Sequence, residues 1–297
     1  MRLTERALGL HLRAGEWRAV HVESRLTGTR ILGTAGGRFE DGGDLPHSAA
    51  AALEEAFRAL AVAPGTKLGV ALARPLAHLK QVTLPPASRT EVTRSIQAQA
   101  ASLFPIGRGA VVADFHRIHV NGAKRDGAWT AAVVVTQEAL VEAVATSARA
   151  LGLRLETVDV GPGALTEFLP PNVDALLVCE DDVLECVELG SDRSITRWRD
   201  LPLRCERASD THEGPASAAG EGPAAHADDG FAGNGASDSV ASWLSGKRVL
   251  AVAPRGRVDA LCESPDGSEP SIGRLGLPPA LARSGVGAEY AVALGAG

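Results

Sequence analysis

Residues 8–24 read LGLHLRAGEWRAVHVES, and their pattern decides the fold. Two runs rich in Leu, Val and Ala flank Ala14–Gly15, so the spacing predicts two short apolar strands joined by a tight turn. Glycine in such a turn lets backbone N–H groups approach an anion, which makes this hairpin the place to look for a phosphate. The positions where an acid and a second glycine would serve that purpose hold His11 and Arg13.

Outward from the hairpin, TRILGTAGGRF (29–39) reads as a third strand and DGGDLPHS (41–48) as a loop, with Ser48 as the N-cap of a helix. Leu53, Phe57 and Leu60 recur at helical spacing and leave Glu54, Glu55 and Arg58 for solvent. KLGVALA (67–73) is a short buried strand. The Gly-rich GGRFEDGGD (36–44) has no suitable helix N-terminus behind it and reads as a loop. Next come the strand LKQVTLP and a capping box, Ser88 to Glu91. The helix it opens places Val92, Ile96, Ala100 and Leu103 on one face and stops at Pro105. Two strands joined by NGAKRDG (121–127) follow, then a helix from about Gln137 to Leu151 with Gly152 as its C′ residue. LRLETVDV closes a β-α-β-β-α-β block over 79–158. A short helix after it is capped by Asp159.

DALLVCEDDVLECVELGSDR (174–193) repeats the strand–turn–strand theme of the opening, and two hairpins at corresponding places imply a duplicated architecture. Residues 207–241 are rich in Gly, Ala, Ser, Pro and acids and nearly free of large apolar side chains. Such a segment cannot bury enough surface to offset its ordering entropy and is expected to be disordered. Order resumes at SWLSGKRVLAVAP (242–254), and AEYAVALGAG (288–297) reads as a small-residue helix.

The 297 residues carry a net charge of −6 and no basic run, which argues against nucleic acid as a partner. The four cysteines, Cys179, Cys186, Cys205 and Cys262, form no CxxC pair and lie near no histidine at zinc-ligand spacing. They fit reduced thiols in a cytoplasm. The N-terminus breaks into charge too early for a secretory signal. No window approaches the ~18 consecutive apolar residues of a membrane span. None of the nucleophile, metalloprotease or P-loop motifs occurs. No catalytic residue and no metal ligand is expected.

Several of these segments, in this order across nearly the whole chain, resemble the actin-like pilus-assembly family PilM, with its relatives GspL of type II secretion and FtsA of cell division. LGLHLRAGEWRAVHVE stands where the family reads like L-G-I-D-I-G-x-x-x-x-K-A-V. RSIQAQAASLFPIGRGAVVADFHRI resembles the helix, stop and strand of the family's inserted subdomain. AAVVVTQEALVEAVATSARALGLRLETVDVGPGAL carries the G-L-x-x-x-x-V-D ending at Asp159, and EYAVALGAG is similar to the final helix.

The resemblance implies an α/β, actin-like (ribonuclease H-like) two-lobe fold with the β-α-β-β-α-β subdomain inserted and a reduced second lobe. It divides the chain into a first lobe (1–78), the insert (79–158), the end of the first lobe with the start of the second (159–206), a linker (207–241) and the rest of the second lobe (242–297). The family's further second-lobe subdomain is replaced here by 207–241. The implied role is a cytoplasmic, non-enzymatic scaffold at the inner membrane. It would bind the cytoplasmic tail of a PilN-like membrane protein in a groove between first lobe and insert, without itself entering the membrane, and link it indirectly to the assembly ATPase. A GspL-type reading implies instead a membrane helix beyond the actin-like part, and an ATP-binding member of the superfamily is the other alternative.

Nucleotide binding in such folds needs an Asp and a Gly in each of two hairpins and a Gly-Gly turn for the base. The first pair falls on His11 and Arg13, the second on Cys179 and Asp181, and the Gly-Gly place on or near Ala253–Pro254. Glu180, Asp181 and Asp182 would repel a triphosphate, and Arg13 reads as a solvated edge or an ion-pair partner. The phosphate hairpins are therefore read as degenerate, with no cofactor. Phe104, Pro105 and Ile106, apolar residues around a helix stop in a chain with few aromatics, are the candidate partner-binding cleft.

Overall fold

The computed structural model describes residues 4–26, 28–39, 44–74, 76–104, 109–118, 129–165, 169, 173–180, 183–190, 195–202, 249–252 and 272–274. The chain is mixed α/β. Strands β1 (Thr4–Arg13), β2 (Glu16–Arg25) and β3 (Gly28–Arg38) form an antiparallel meander, followed by helix α1 (Leu45–Ala59) and strand β4 (Lys67–Leu72). The insert comprises β5 (Ala77–Leu84), α2 (Arg89–Leu103), β6 (Val111–Ile118) and β7 (Trp129–Gln137). Helix α3 (Glu138–Ala150), strand β8 (Arg154–Val160) and helix α4 (Gly161–Leu165) follow. The last strands are β9 (Ala175–Glu180), β10 (Val183–Leu189), β11 (Ile195–Pro202), β12 (Val249–Val252) and β13 (Ile272–Arg274).

The duplication expected from the two hairpins is present in the topology. The first sheet runs β3-β2-β1-β4-β8 and the second β11-β10-β9-β12-β13. In each, three antiparallel strands are extended by two parallel ones, β1 with β4 and β9 with β12. A parallel neighbour requires a crossover. In the first sheet α1 supplies one crossover, and the insert with α3 supplies the next.

That second crossover corrects the boundary drawn from the sequence at 79–158. The three-stranded sheet β5-β7-β6 ends at Gln137. Strand β8 lies parallel to β4, with Ala71 opposite Asp159, and α3 buries Leu140, Val144 and Ala148 toward the first lobe, against α1. The helical pattern marked which face of α3 is apolar, but a repeat of apolar residues does not say which sheet will cover it. The insert has its own small core, in which Val92, Ile96, Ala100 and Phe104 of the helix side pack on Leu84, Ala131, Val133 and Val135. The Ser88–Glu91 capping box is formed: Glu91 N–H donates to Ser88 Oγ, and Ser88 N–H donates to Glu91 Oε2 at 2.8 Å. Helix α1 starts earlier than Ser48. Its N-cap is Asp44, and Pro46, whose fixed φ suits the first turn, lets the helix begin at Leu45.

The glycines at 36 and 37 lie in strand β3 rather than in a loop, and each makes room for a neighbour across the ladder. A Cβ at Gly37 would stand 2.7 Å from Trp17 Nε1, and one at Gly36 would stand 2.9 Å from Arg18 Nη1. The Trp17 indole, almost fully buried, thus lies flat over bare backbone. The stretch 207–241, the Ala253–Pro254 turn and the 288–297 helix lie outside the described residues. Among the described residues no helix is long and apolar enough to cross a membrane.

Two predictions follow from packing. Gly37→Ala is expected to lower unfolding free energy by about 1–3 kcal/mol, because the added methyl displaces the indole; urea denaturation measures it. His21, buried beside the end of α1, has its protonation driven below the usual imidazole range, first by burial and also by the Arg6 charge, against a hydrogen bond with the Leu60 backbone. The unfolded chain then binds the proton more readily than the folded one, so stability held above the ordinary value of 6.5 declines as pH falls below it. His21→Phe should flatten that part of a pH–stability curve; an unchanged slope would locate the linkage elsewhere.

Candidate functional site

The expected hairpin is β1–β2, with Arg13 opposite Glu16 across the turn and His11 opposite Arg18. Side chains alternate along a strand, so the ladder assigns each residue to a face. His21, bonded to the end of α1, marks the helix-covered face, which also takes Leu8, Leu10, Leu12, Ala19 and Trp17. The opposite face carries Arg13 and Glu16 together with a row across the sheet: Gly36, Arg18, His11, Ala71 and Asp159. Helix α4 leans on this face. Asp159 Oδ1 accepts the Val160 N–H at 2.7 Å and sits where a Cβ on Gly163 would come within 2.7 Å of it. The close approach needs glycine at 163.

His11 is 2% exposed, a buried imidazole in the middle of the central strand. Arg13 is not a solvated edge. Its Nη1 donates to Glu16 Oε1 at 2.6 Å, while Arg18 Nη2 donates to Glu16 Oε2 at 3.0 Å. One carboxylate is held by two guanidiniums, all three mostly withdrawn from solvent. The hairpin therefore carries an internal anion beside its turn. The ion-pair alternative for Arg13 is the one realised, with Glu16 as its partner. Its signal was available in the sequence: a base and an acid flank a two-residue turn, which puts them directly across the ladder.

The other sequence candidates divide. Cys179 lies in β9, at the start of the second hairpin, paired with Leu184. Asp181, at the turn, lies outside the described residues, as do Pro105 and Ile106. Phe104 is described: it is the C-cap residue of α2 and 4% exposed, packed inside the insert's own core. Its ring packs against Val92, Ile96 and Ala100 of the same core. Among the described residues no group of His, Cys, Asp and Glu is arranged to hold a metal ion.

A second polar centre joins the two lobes. Arg74, in the turn between β4 and β5, donates from Nε to Glu185 Oε1 of β10 at 2.9 Å and from Nη2 to the Leu79 carbonyl of β5 at 3.2 Å. Glu185 is 3% exposed. Protonation of the neighbouring His78 is disfavoured by burial and, secondarily, by the Arg74 charge. No sequence signal points to this pair, whose members are separated by 111 positions.

No protein-family model matches the sequence, and no curated protein matches it. Among solved structures, a PilM–PilN type IV pilus biogenesis complex is similar over 66% of this chain and 61% of that chain, with 22% identity and a TM-score of 0.47. The chain thus spans less than two thirds of that protein. The cytoplasmic domain of EpsL, an inner-membrane component of the Vibrio cholerae type II secretion system, is similar over 84% of this chain and 83% of that one, with 14% identity and a TM-score of 0.42. The ethanolamine utilization protein EutJ from Carboxydothermus hydrogenoformans matches over 66% and 52%, with 13% identity and a TM-score of 0.34. Similarity at this level carries no functional argument, and the topology of the two sheets stands independently of it.

Glu16→Gln removes the shared anion and leaves two guanidiniums facing each other. It is expected to cost ~1–3 kcal/mol. Glu156→Gln, which breaks the exposed pair with Arg154, should cost only about 0–1 kcal/mol. Guanidinium denaturation of the two variants side by side makes the comparison.

Proposed function

We propose that this chain is an actin-like, PilM-type scaffold that has given up nucleotide chemistry. In this reading it sits at the cytoplasmic side of the inner membrane and grips the short tail of a PilN-like membrane protein between first lobe and insert. Through that grip it connects the membrane platform indirectly to the assembly ATPase. It is not an enzyme and takes no cofactor.

The observation that carries the reading is the Arg13–Glu16–Arg18 cluster. A phosphate-binding hairpin presents unoccupied backbone N–H groups and a bending glycine to an incoming anion. Here the two cations nearest the turn are already engaged by an internal carboxylate, and His11 and Arg13 stand where an acid and a glycine would serve. Two further features support it. The ordered likeness of sequence segments to the PilM family extends along nearly the whole chain, and two sheets of like topology with an insert in the first are what that likeness implies. A GspL-like place in type II secretion is the second reading, since the same arrangement serves both.

With Phe104 taken up in the insert, tail contact at the helix stop falls to Ile106. The test is fluorescence anisotropy with a labelled peptide copying the cytoplasmic tail of the PilN-like protein of the same organism. Saturable binding that Ile106→Glu weakens at least tenfold, about 1.4 kcal/mol, is the expected outcome. Binding that the substitution leaves untouched would move the contact away from the helix stop, and no binding by the native chain would overturn the partner assignment.

A further inference from the structure

The lobes, the insert and Arg74 meet at one junction. The chain leaves β4 after Leu72 and enters the insert, and Ala73 and Leu76 on the way are tied down. Ala73 N–H donates to Leu12 O at 2.8 Å, Leu76 N–H donates to Ala73 O at 2.8 Å, and Thr136 Oγ1 donates to Leu76 O at 2.7 Å. Thr136 belongs to the strand by which the chain leaves the insert, and Ala77 pairs with it. The insert is thus attached to the first lobe through two adjacent backbone crossings, a geometry about which it would otherwise rotate. Among the described residues of this stretch, Arg74 reaches outside the first lobe and insert, to Glu185 of the second lobe.

Apolar residues adjoin the pair, together with His78 beside Arg74 and Asp200 opposite Glu185 across the ladder. Glu185, Val187 and Leu189 alternate onto the same face of β10, and the ladder places Leu176, Val178 and Trp198 beside them. Leu176, Val178, Val187 and Trp198 join the same core cluster as β1, β4, α1 and α3, and Leu79 and Val134 of the insert pack against it. A charge pair set in such a contact is directional where apolar packing is not. Removing one member strands the other in a medium that penalises it heavily.

We infer that Arg74 is an interlobe strut: by bonding at once to Glu185 of the second lobe and to the Leu79 carbonyl of the insert, it fixes first lobe, insert and second lobe in one relative orientation and suppresses hinge opening between them. The inference rests on the ion pair and its setting and does not depend on the proposed partner.

The test measures a distance in which the altered residue takes no part. Nitroxide labels attached through an unnatural ketone side chain at Glu54 (α1) and Gln97 (α2), both exposed, report first lobe against insert by pulsed electron paramagnetic resonance. The native chain should give one narrow distribution. Glu185→Gln lies in neither labelled element, yet a strut transmits its loss, so the distribution should broaden toward distances a few ångströms longer. A distribution that stays narrow in Glu185→Gln overturns the inference. If that variant does not fold, Arg74→Met with Glu185→Met, which removes both charges, takes its place: broadening supports the strut, and a narrow distribution overturns it.

Discussion

A central strand covered on both faces is the constraint on which the first lobe depends. Strand β1 pairs with β2 on one side and β4 on the other, and Leu8, Leu10 and Leu12 are fully withdrawn under α1 and α3. A polar group brought in on the other face is largely withdrawn from water and gains from a partner inside the protein. That gain explains the character of the hairpin. Arg13 and Arg18 project on this second face and are matched by Glu16 from the same turn. One carboxylate thereby bridges both guanidiniums within the hairpin.

The same logic extends to the junction of the lobes. Apolar contact brings the second sheet against the first lobe and insert, but such contact tolerates sliding. The Arg74–Glu185 bond adds direction at the point where the insert is attached.

Much of the framework was legible in the sequence, for physical reasons that can be named. The hairpins announced themselves because apolar runs around a tight turn have few alternatives, and the capping box at Ser88 is a local hydrogen-bond exchange that needs no tertiary context. Helix α3 was legible as a helix but not as a member of the first lobe, since its apolar face is specified by periodicity and its partner only by topology. The glycines at 36 and 37 misled in part: read as loop formers, they instead admit Trp17 and Arg18 across the ladder. Phe104 shows the limit of reading surface from composition, because a large apolar residue at a helix stop served the insert's own core. The Arg74–Glu185 pair was illegible, being made by two charges that only the folded chain brings together.

The central claim is that the first hairpin has replaced an external anion with an internal one. Isothermal titration of the native chain with magnesium ATP tests it most directly. The account predicts no saturable heat up to millimolar nucleotide. Stoichiometric binding at micromolar concentration, lost on Arg13→Ala, would contradict it.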